Sequence, residues 1–385
     1  MRTRIYLDYN ATAPARAESR KAVAQALELH GNPSSVHEEG RRVRALVETS
    51  RGKVASLVGA DPKNVIFTSG GTEANVTALS PLNVNPDAPG GVVCFMSEIE
   101  HPSVLASGRF APDAVRLVGA TSDGIIDVAA LEREIDAHDG PFMVSVMAAN
   151  NETGALQPVA RIAGIVRAHG GILHCDGVQA AGKVPLDIAG LGAHMLSLSA
   201  HKIGGPHGAG ALVLGEGMAR LPSPLLVGGG QELRARSGTE NITGIAGFGA
   251  AAESAARGLE NMAELAALRD RLEADIAARA PDAVFFPKGA PRLPNTANFA
   301  VPGMKAETIV IALDLAGIAV SAGASCSSGK VEQSHVLVAM GAPEDVARGA
   351  IRVSLGWDTG EEEIDAFIEA WSDIYGKFET QRAAA

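Results

Sequence analysis

The chain has 385 residues, 46% apolar and 20% charged, with 33 Lys plus Arg against 44 Asp plus Glu. The apolar fraction excludes disorder, and the formal charge of −11 excludes the broad basic surface that binding nucleic acid or anionic lipid requires. With no run of about 18 apolar residues, and with Asp8 arriving before any apolar signal segment, a soluble cytoplasmic protein of two or three domains is expected.

From about residue 16 to 250, short β-branched runs alternate with helical patterns. Val65–Thr68 reads as a strand, and Ser69-Gly70-Gly71-Thr72-Glu73 opens a helix. Gly91–Met96, Ala114–Val118, Phe142–Met147 and Gly171–Cys175 are further strands, with Val128–Ala137 and Val159–His169 helical. Continuous apolar strands separated by helices predict a parallel sheet covered on both faces. Ligands of such sheets collect at the carboxyl ends of the strands. Asn241–Arg279 is Ala-rich and helical, and leads from this sheet into a smaller α+β unit, with a boundary near residue 255.

The same order carries the chemistry. Ser69-Gly70-Gly71-Thr72 joins a strand to a helix and offers backbone N–H groups to an anion, or is a plain glycine turn capped by Thr72. Asp176, at the end of the Gly171–Cys175 strand, suits a pyridinium nitrogen but equally caps the next helix; Gln179 lies on the same turn. Ser199-Ala200-His201-Lys202 follows the apolar run Met195–Leu198, and a lysine so placed can form a Schiff base with an aldehyde cofactor. Together these describe an aldehyde-cofactor enzyme better than any one alone.

In chain order, Tyr6-Leu7-Asp8-Tyr9-Asn10-Ala11-Thr12, Gly31-Asn32-Pro33, Thr68–Glu73, Glu100-His101, Asn150-Asn151-Glu152-Thr153-Gly154, Asp176–Gln179, His201-Lys202, Arg236-Ser237-Gly238-Thr239-Glu240-Asn241 and Ile351-Arg352-Val353-Ser354 resemble the cysteine desulfurases. These are class V pyridoxal-phosphate enzymes of the aminotransferase fold. The resemblance implies an α/β fold of the pyridoxal-phosphate transferase type I: a large domain (13–255) with a mostly parallel seven-stranded sheet, and a small α+β domain (1–12 with 256–385). It also implies roles. Lys202 would hold the cofactor and move the Cα proton, Asp176 pair with the pyridine nitrogen, Gln179 with the phenolic oxygen, and His101 stack on the ring. Gly71, Thr72, Ser199 and His201 would hold the phosphate, joined by Thr239 from the partner of a homodimer. Asn151 and Arg352 would grip the substrate carboxylate, a task for which the guanidinium fork is suited. No metal is implied.

Three cysteines are present: Cys94, Cys175 and Cys326. An odd, sparse set cannot form a disulfide framework. Cys94 and Cys175, inside apolar strands, read as core residues. Cys326 sits in Ser321–Gly329, where every other residue is Gly, Ala or Ser, a composition with little to bury and expected to move. It resembles the nucleophile loop of the longer-loop group. L-cysteine would become L-alanine, its sulfur passing to Cys326 as a persulfide and then to an acceptor such as an iron–sulfur scaffold. Val76, Leu233 and His207 depart from the family pattern, which bears on dimer contacts. The short stretch after Trp357 leaves the scaffold as partner in doubt. A small-amino-acid aminotransferase, a selenocysteine lyase and a catalytically silent assembly protein remain alternatives at this point.

Overall fold

The computed structural model of the chain describes residues 4–323 and 333–384. The first strand, β1 (Ile5–Tyr6), precedes two helices, α1 (Ala17–Leu27) and α2 (Glu38–Leu57). The central sheet then follows: β2 (Val65–Thr68), β3 (Val93–Ser97), β4 (Val115–Val118), β5 (Phe142–Met147), β6 (Ile172–Asp176), β7 (Met195–Ser199) and β8 (Gly210–Leu214). These seven strands stand in the order β2-β8-β7-β6-β5-β3-β4. Pairing is parallel from β7 through β6, β5 and β3 to β4, while β8 runs antiparallel to both neighbours. The expected mostly parallel, seven-stranded α/β architecture is therefore present. β8, which sequence patterning did not single out, is the antiparallel member.

Every residue of β3, β5, β7 and β8 is buried. Two-sided burial explains why these strands read as unbroken apolar runs rather than alternating ones. One cluster under the sheet is almost wholly aliphatic, with Phe67, Phe95, Phe142 and Phe248 its only aromatic rings. That matches a chain whose aromatic fraction is 4%. The segment from Asn241 to Arg279 is not one helix: Ile242–Gly258 ends, a 3₁₀ turn covers Leu259–Asn261, and a new helix runs from Met262 to Arg279. The first piece packs between α1 and α2. There a Cβ on Gly249 would stand 2.7 Å from the Ser50 Cα, so its glycine and alanine content permits a close helix crossing.

The remaining strands are β9 (Val284–Phe286), β10 (Thr296–Ala300), β11 (Ile318–Ala319), β12 (Ser321–Ala322) and β13 (Ile351–Ser354). They form an antiparallel sheet in the order β12-β13-β10-β9, plus the parallel pair β1-β11. Leu7, Leu265, Phe299, Val353 and Trp371 share a second hydrophobic cluster, so the N-terminal strand packs with the C-terminal third. Two contacts tie the segment after β1 to β13. Asn10 N donates to Ser354 Oγ at 3.0 Å, and Asp8 bridges to Ser354.

Candidate active site

Five strands of the central sheet point their carboxyl ends at one open cavity of about 170 Å³, placed where ligands of such sheets collect. β2 leads into α3 (Gly71–Ala78), β3 into His101, β5 into Asn151, β6 ends at Asp176, and β7 leads through a 3₁₀ turn to Lys202. The sequence candidates Gly71, Thr72, His101, Asn151, Asp176, Gln179, Ser199, His201 and Lys202 all line this cavity. Three do not. Arg352 stands behind the wall, Thr239 is exposed on the surface, and Cys326 lies outside the described residues.

Asp176 lines the cavity and braces the turn that follows β6; the next helix starts only at Ile188–Leu191, with Asp187 as its cap. Its Oδ1 accepts from the Val178 N–H at 2.9 Å, and its Oδ2 accepts from Asn75 Nδ2 at 2.8 Å. The second Asn75 amide proton goes to Ser103 Oγ at 2.9 Å, and that hydroxyl lies 2.8 Å from His101 Nδ1. His101 Nδ1 also accepts from Ser103 N at 3.1 Å, which leaves Nε2 to carry the proton of the neutral ring. Burial lowers the His101 proton affinity, Asp176 opposes that, and Lys202 and His335 add to it. Sequence reading missed Asn75 and Ser103, whose polar side chains on helical stretches carry no signal until the helices dock.

At the other end of the cavity, α3 begins against Ser199 and His201. A Cβ on Gly71 would stand 2.8 Å from Val178 Cγ2 and 3.4 Å from Ser199 Cβ. Only glycine keeps this cradle of N–H groups open at the helix N-terminus, where a phosphate is favoured. Burial, then Lys202, His207 and Lys183, lower the His201 pKa to about 4, a shift that a bound anion would oppose. Glu100, fully buried near Asp176, is pushed well above the ordinary carboxyl range, first by burial and then by Asp176, while its Oε1 accepts from Met147 N at 2.8 Å.

Lys202 Nζ donates to the carbonyls of Asn10 at 2.6 Å and Ala11 at 2.9 Å. Gln179 Nε2 donates to the same Asn10 carbonyl at 2.9 Å. Arg352 has a fully buried fork: Nη2 meets Asp8 Oδ1 at 2.8 Å and Nη1 donates to the Asn151 carbonyl at 2.8 Å. The pairing expected between Asn151 and Arg352 thus exists through the backbone, with Asp8 already occupying one face of the guanidinium. The residues fit pyridoxal phosphate in three separable respects: a carboxylate held for a ring nitrogen, a lysine beside it, and a glycine cradle for a phosphate. Cys94 and Cys175 are fully buried, and burial pushes both thiols up, as inert core cysteines require.

The family model for class-V aminotransferases matches residues 5–367. A cysteine desulfurase of Cereibacter sphaeroides is 43% identical over 378 residues, covering 96% of this chain and 95% of that protein. The cysteine desulfurase IscS of Dictyoglomus turgidum is 36% identical over 385 residues, covering 99% and 96%. A solved NifS-like protein from Rickettsia africae superposes with a TM-score of 0.87 at 34% identity, covering 97% of this chain and 99% of that one.

Proposed function

The chain belongs to the class-V aminotransferase family, among the cysteine desulfurases, and from that premise we propose that it converts L-cysteine to L-alanine and leaves the sulfur on Cys326 as a persulfide. The carrying observation is that Lys202, Asp176, Gln179 and His101 converge on one cavity whose far end is the Gly71 cradle. When bound, pyridoxal phosphate supplies an aldehyde for the substrate amine and a sink for the Cα–H electron pair. Lys202 holds the group and takes the Cα proton. Asp176, fixed by Asn75 and Val178, would hold the ring nitrogen, Gln179 Nε2 would serve the phenolic oxygen, and His101 would pack on the ring. Gly71, Thr72, Ser199 and His201 receive the phosphate, with Thr239 supplied by a partner copy. Asn151 and Arg352 orient the substrate carboxylate, Arg352 being already braced by Asp8.

The reaction balances without an external redox agent. The Cys326 thiolate attacks the substrate sulfur, the S–S bond forms as the C–S bond breaks, and the carbon skeleton regains a proton at Cβ and at Cα to leave alanine. The thiolate, not the thiol, is the nucleophile. The persulfide then passes to an acceptor protein such as an iron–sulfur scaffold. A cytoplasmic homodimer, divided near residue 255 into a large and a small domain, completes this reading. One hydrophobic cluster is drawn, Leu293 apart, from residues 47–255, and another from Leu7 with residues 265–371, which supports the division; among the described residues no helix is long and apolar enough to cross a membrane.

The test is mass spectrometry of Cys326 after a single turnover with L-cysteine. A gain of one sulfur with one equivalent of alanine is expected, and Cys326→Ser should abolish both while retaining the cofactor's visible absorbance. Full alanine production by Cys326→Ser would refute the mechanism and favour a transaminase or simple lyase.

A further inference from the structure

Among the described residues, Lys183 pairs with no carboxylate. Its side chain is buried, and Nζ donates to Gln179 Oε1 at 2.7 Å and to Asn10 Oδ1 at 2.8 Å. The neighbouring Gly182 has φ of +70° and lies where a Cβ would stand 2.9 Å from Ala255 Cβ, so the turn after β6 drops Lys183 inward rather than into solvent. We propose that Lys183 is a positioning residue that fixes which face of the Gln179 amide the cavity meets, and so tunes the cofactor through Gln179. The proposal rests on the reading that the cavity holds pyridoxal phosphate.

An ammonium or amine N–H donates, so the Gln179 atom facing Lys183 must be the carbonyl oxygen. The amide nitrogen is thereby turned the other way, where one proton goes to the Asn10 carbonyl at 2.9 Å and the other is left for the cavity. Without Lys183 only the Asn10 carbonyl would hold the amide and Gln179 Oε1 would lose its donor, so the orientation that keeps an N–H toward the electron-rich oxygen of the ligand would be less firmly held. Asn10 makes the arrangement one unit. Its side-chain oxygen takes Lys183 and Asn295 Nδ2 (3.1 Å), while its backbone carbonyl takes Gln179 and Lys202. The charged and titratable groups around Lys183 are Lys202 and His201 after β7, Arg352 with its Asp8 partner on the opposite sheet, and Tyr9 and Arg16 around a small chamber that Lys183 and Lys202 both line. Asp176 lies on its own connection. Burial, then Lys202 and Arg352, drive the Lys183 proton affinity well down, which suits an amine whose task is to donate hydrogen bonds rather than to carry charge.

A donor facing the phenolic oxygen stabilises its deprotonated form and holds down the pH midpoint of the bound cofactor's visible absorbance. Spectrophotometric pH titration of the holoenzyme should place Lys183→Met about one unit higher, a tenfold change in proton affinity. Gln179→Leu should show a similar rise, and the double variant no further rise, because the two act through one contact. Lys183→Gln, neutral but still a donor, should recover most of the shift. An unchanged midpoint in Lys183→Met, or an equal additional rise in the Gln179→Leu background, would overturn the proposal. Failure of Lys183→Gln to recover would do so too, since it would leave charge alone as the cause. Lys183→Ala repeats the cycle if the methionine variant misfolds. If the wild-type protein shows no visible band after pyridoxal phosphate is added, the cofactor reading itself fails, a result distinct from all of these.

Discussion

Asp176→Asn separates a cofactor partner from a residue that only caps the turn after β6. As a cap, asparagine equals aspartate, so a residue that only caps would lose nothing by the exchange. The local cost is readable from the contacts. The carboxylate takes donors at both oxygens, from Val178 N and Asn75 Nδ2, whereas the amide offers one acceptor. Asn75 can turn its amide over, because its Oδ1 is buried without a partner among the described residues; Ser103 Oγ would then donate to it and release His101. That rearrangement costs about one hydrogen bond, ~1 kcal/mol of apoprotein stability. Loss of a charge-assisted bond to a protonated ring nitrogen costs more, about 1.5–3 kcal/mol, or roughly 10- to 150-fold in affinity. Titrating apoprotein with pyridoxal phosphate and following visible absorbance should show that weakening, together with a larger fall in alanine formation. A variant within threefold of wild type in both, with only the small loss of thermal stability, would refute the assignment and leave Asp176 a cap.

Gly71→Ala should weaken cofactor binding about tenfold, since its Cβ would stand 2.8 Å from Val178 Cγ2; Val178→Ala should restore part of it, and equilibrium titration reads both. Glu232 is buried and takes Arg51 Nη1 at 2.6 Å, Arg51 Nη2 at 2.8 Å and Phe67 N at 2.9 Å, so Glu232→Ala leaves the buried guanidinium to the more exposed Glu48 and the Val65 carbonyl and should cost about 3 kcal/mol in denaturant unfolding. Stability should respond to pH in two opposed ways. His174, enclosed by Ser145 and Ser197, is lowered by burial to about 4, so the unfolded chain binds the extra proton between about pH 6.5 and 4 and stability falls as pH drops through that window, by ~3 kcal/mol at its foot. Glu152 is raised by burial to about 7; its contribution is present at low pH and is lost as pH rises from about 4.5 to 7. Denaturant midpoints of His174→Gln should lose the first dependence and those of Glu152→Gln the second; a pH profile untouched by either substitution would refute both.

The parts of the site that could be read from the chain are those whose chemistry is local. Glycines between a strand and a helix, an aspartate closing an apolar run and a lysine just past another keep their meaning in any parallel sheet, and the Gly71, Asp176 and Lys202 positions met in one cavity as expected. The sheet was legible for the same reason: burial on both faces removes alternation from the strands and leaves runs. β8 escaped because an antiparallel return has no helix before it to mark its start. Asn75 and Ser103 escaped because their meaning comes from which helix face docks on which strand end, a long-range fact.

Lys183 escaped for a sharper reason. In a sequence, a lysine after a glycine is a surface charge, and the ordinary energetics of burial argue against anything else. Its inward position is stable only because two amide oxygens, Gln179 Oε1 and Asn10 Oδ1, receive it at 2.7 and 2.8 Å. One of them belongs to the N-terminal segment, 173 residues away along the chain. The Asn10 segment therefore does more than pack. By offering one carbonyl to both Lys202 and Gln179 and one side-chain oxygen to Lys183, it couples the catalytic lysine to the sheet that carries Arg352, through Ser354 and Asp8. A substitution at Asn10 should thus disturb cofactor and substrate readouts together, whereas Asp8→Asn should act on substrate KM with the cofactor spectrum unmoved. Steady-state kinetics beside the absorbance titration decide this, and an altered spectrum in Asp8→Asn would show that the two halves of the site are not separable at Asn10.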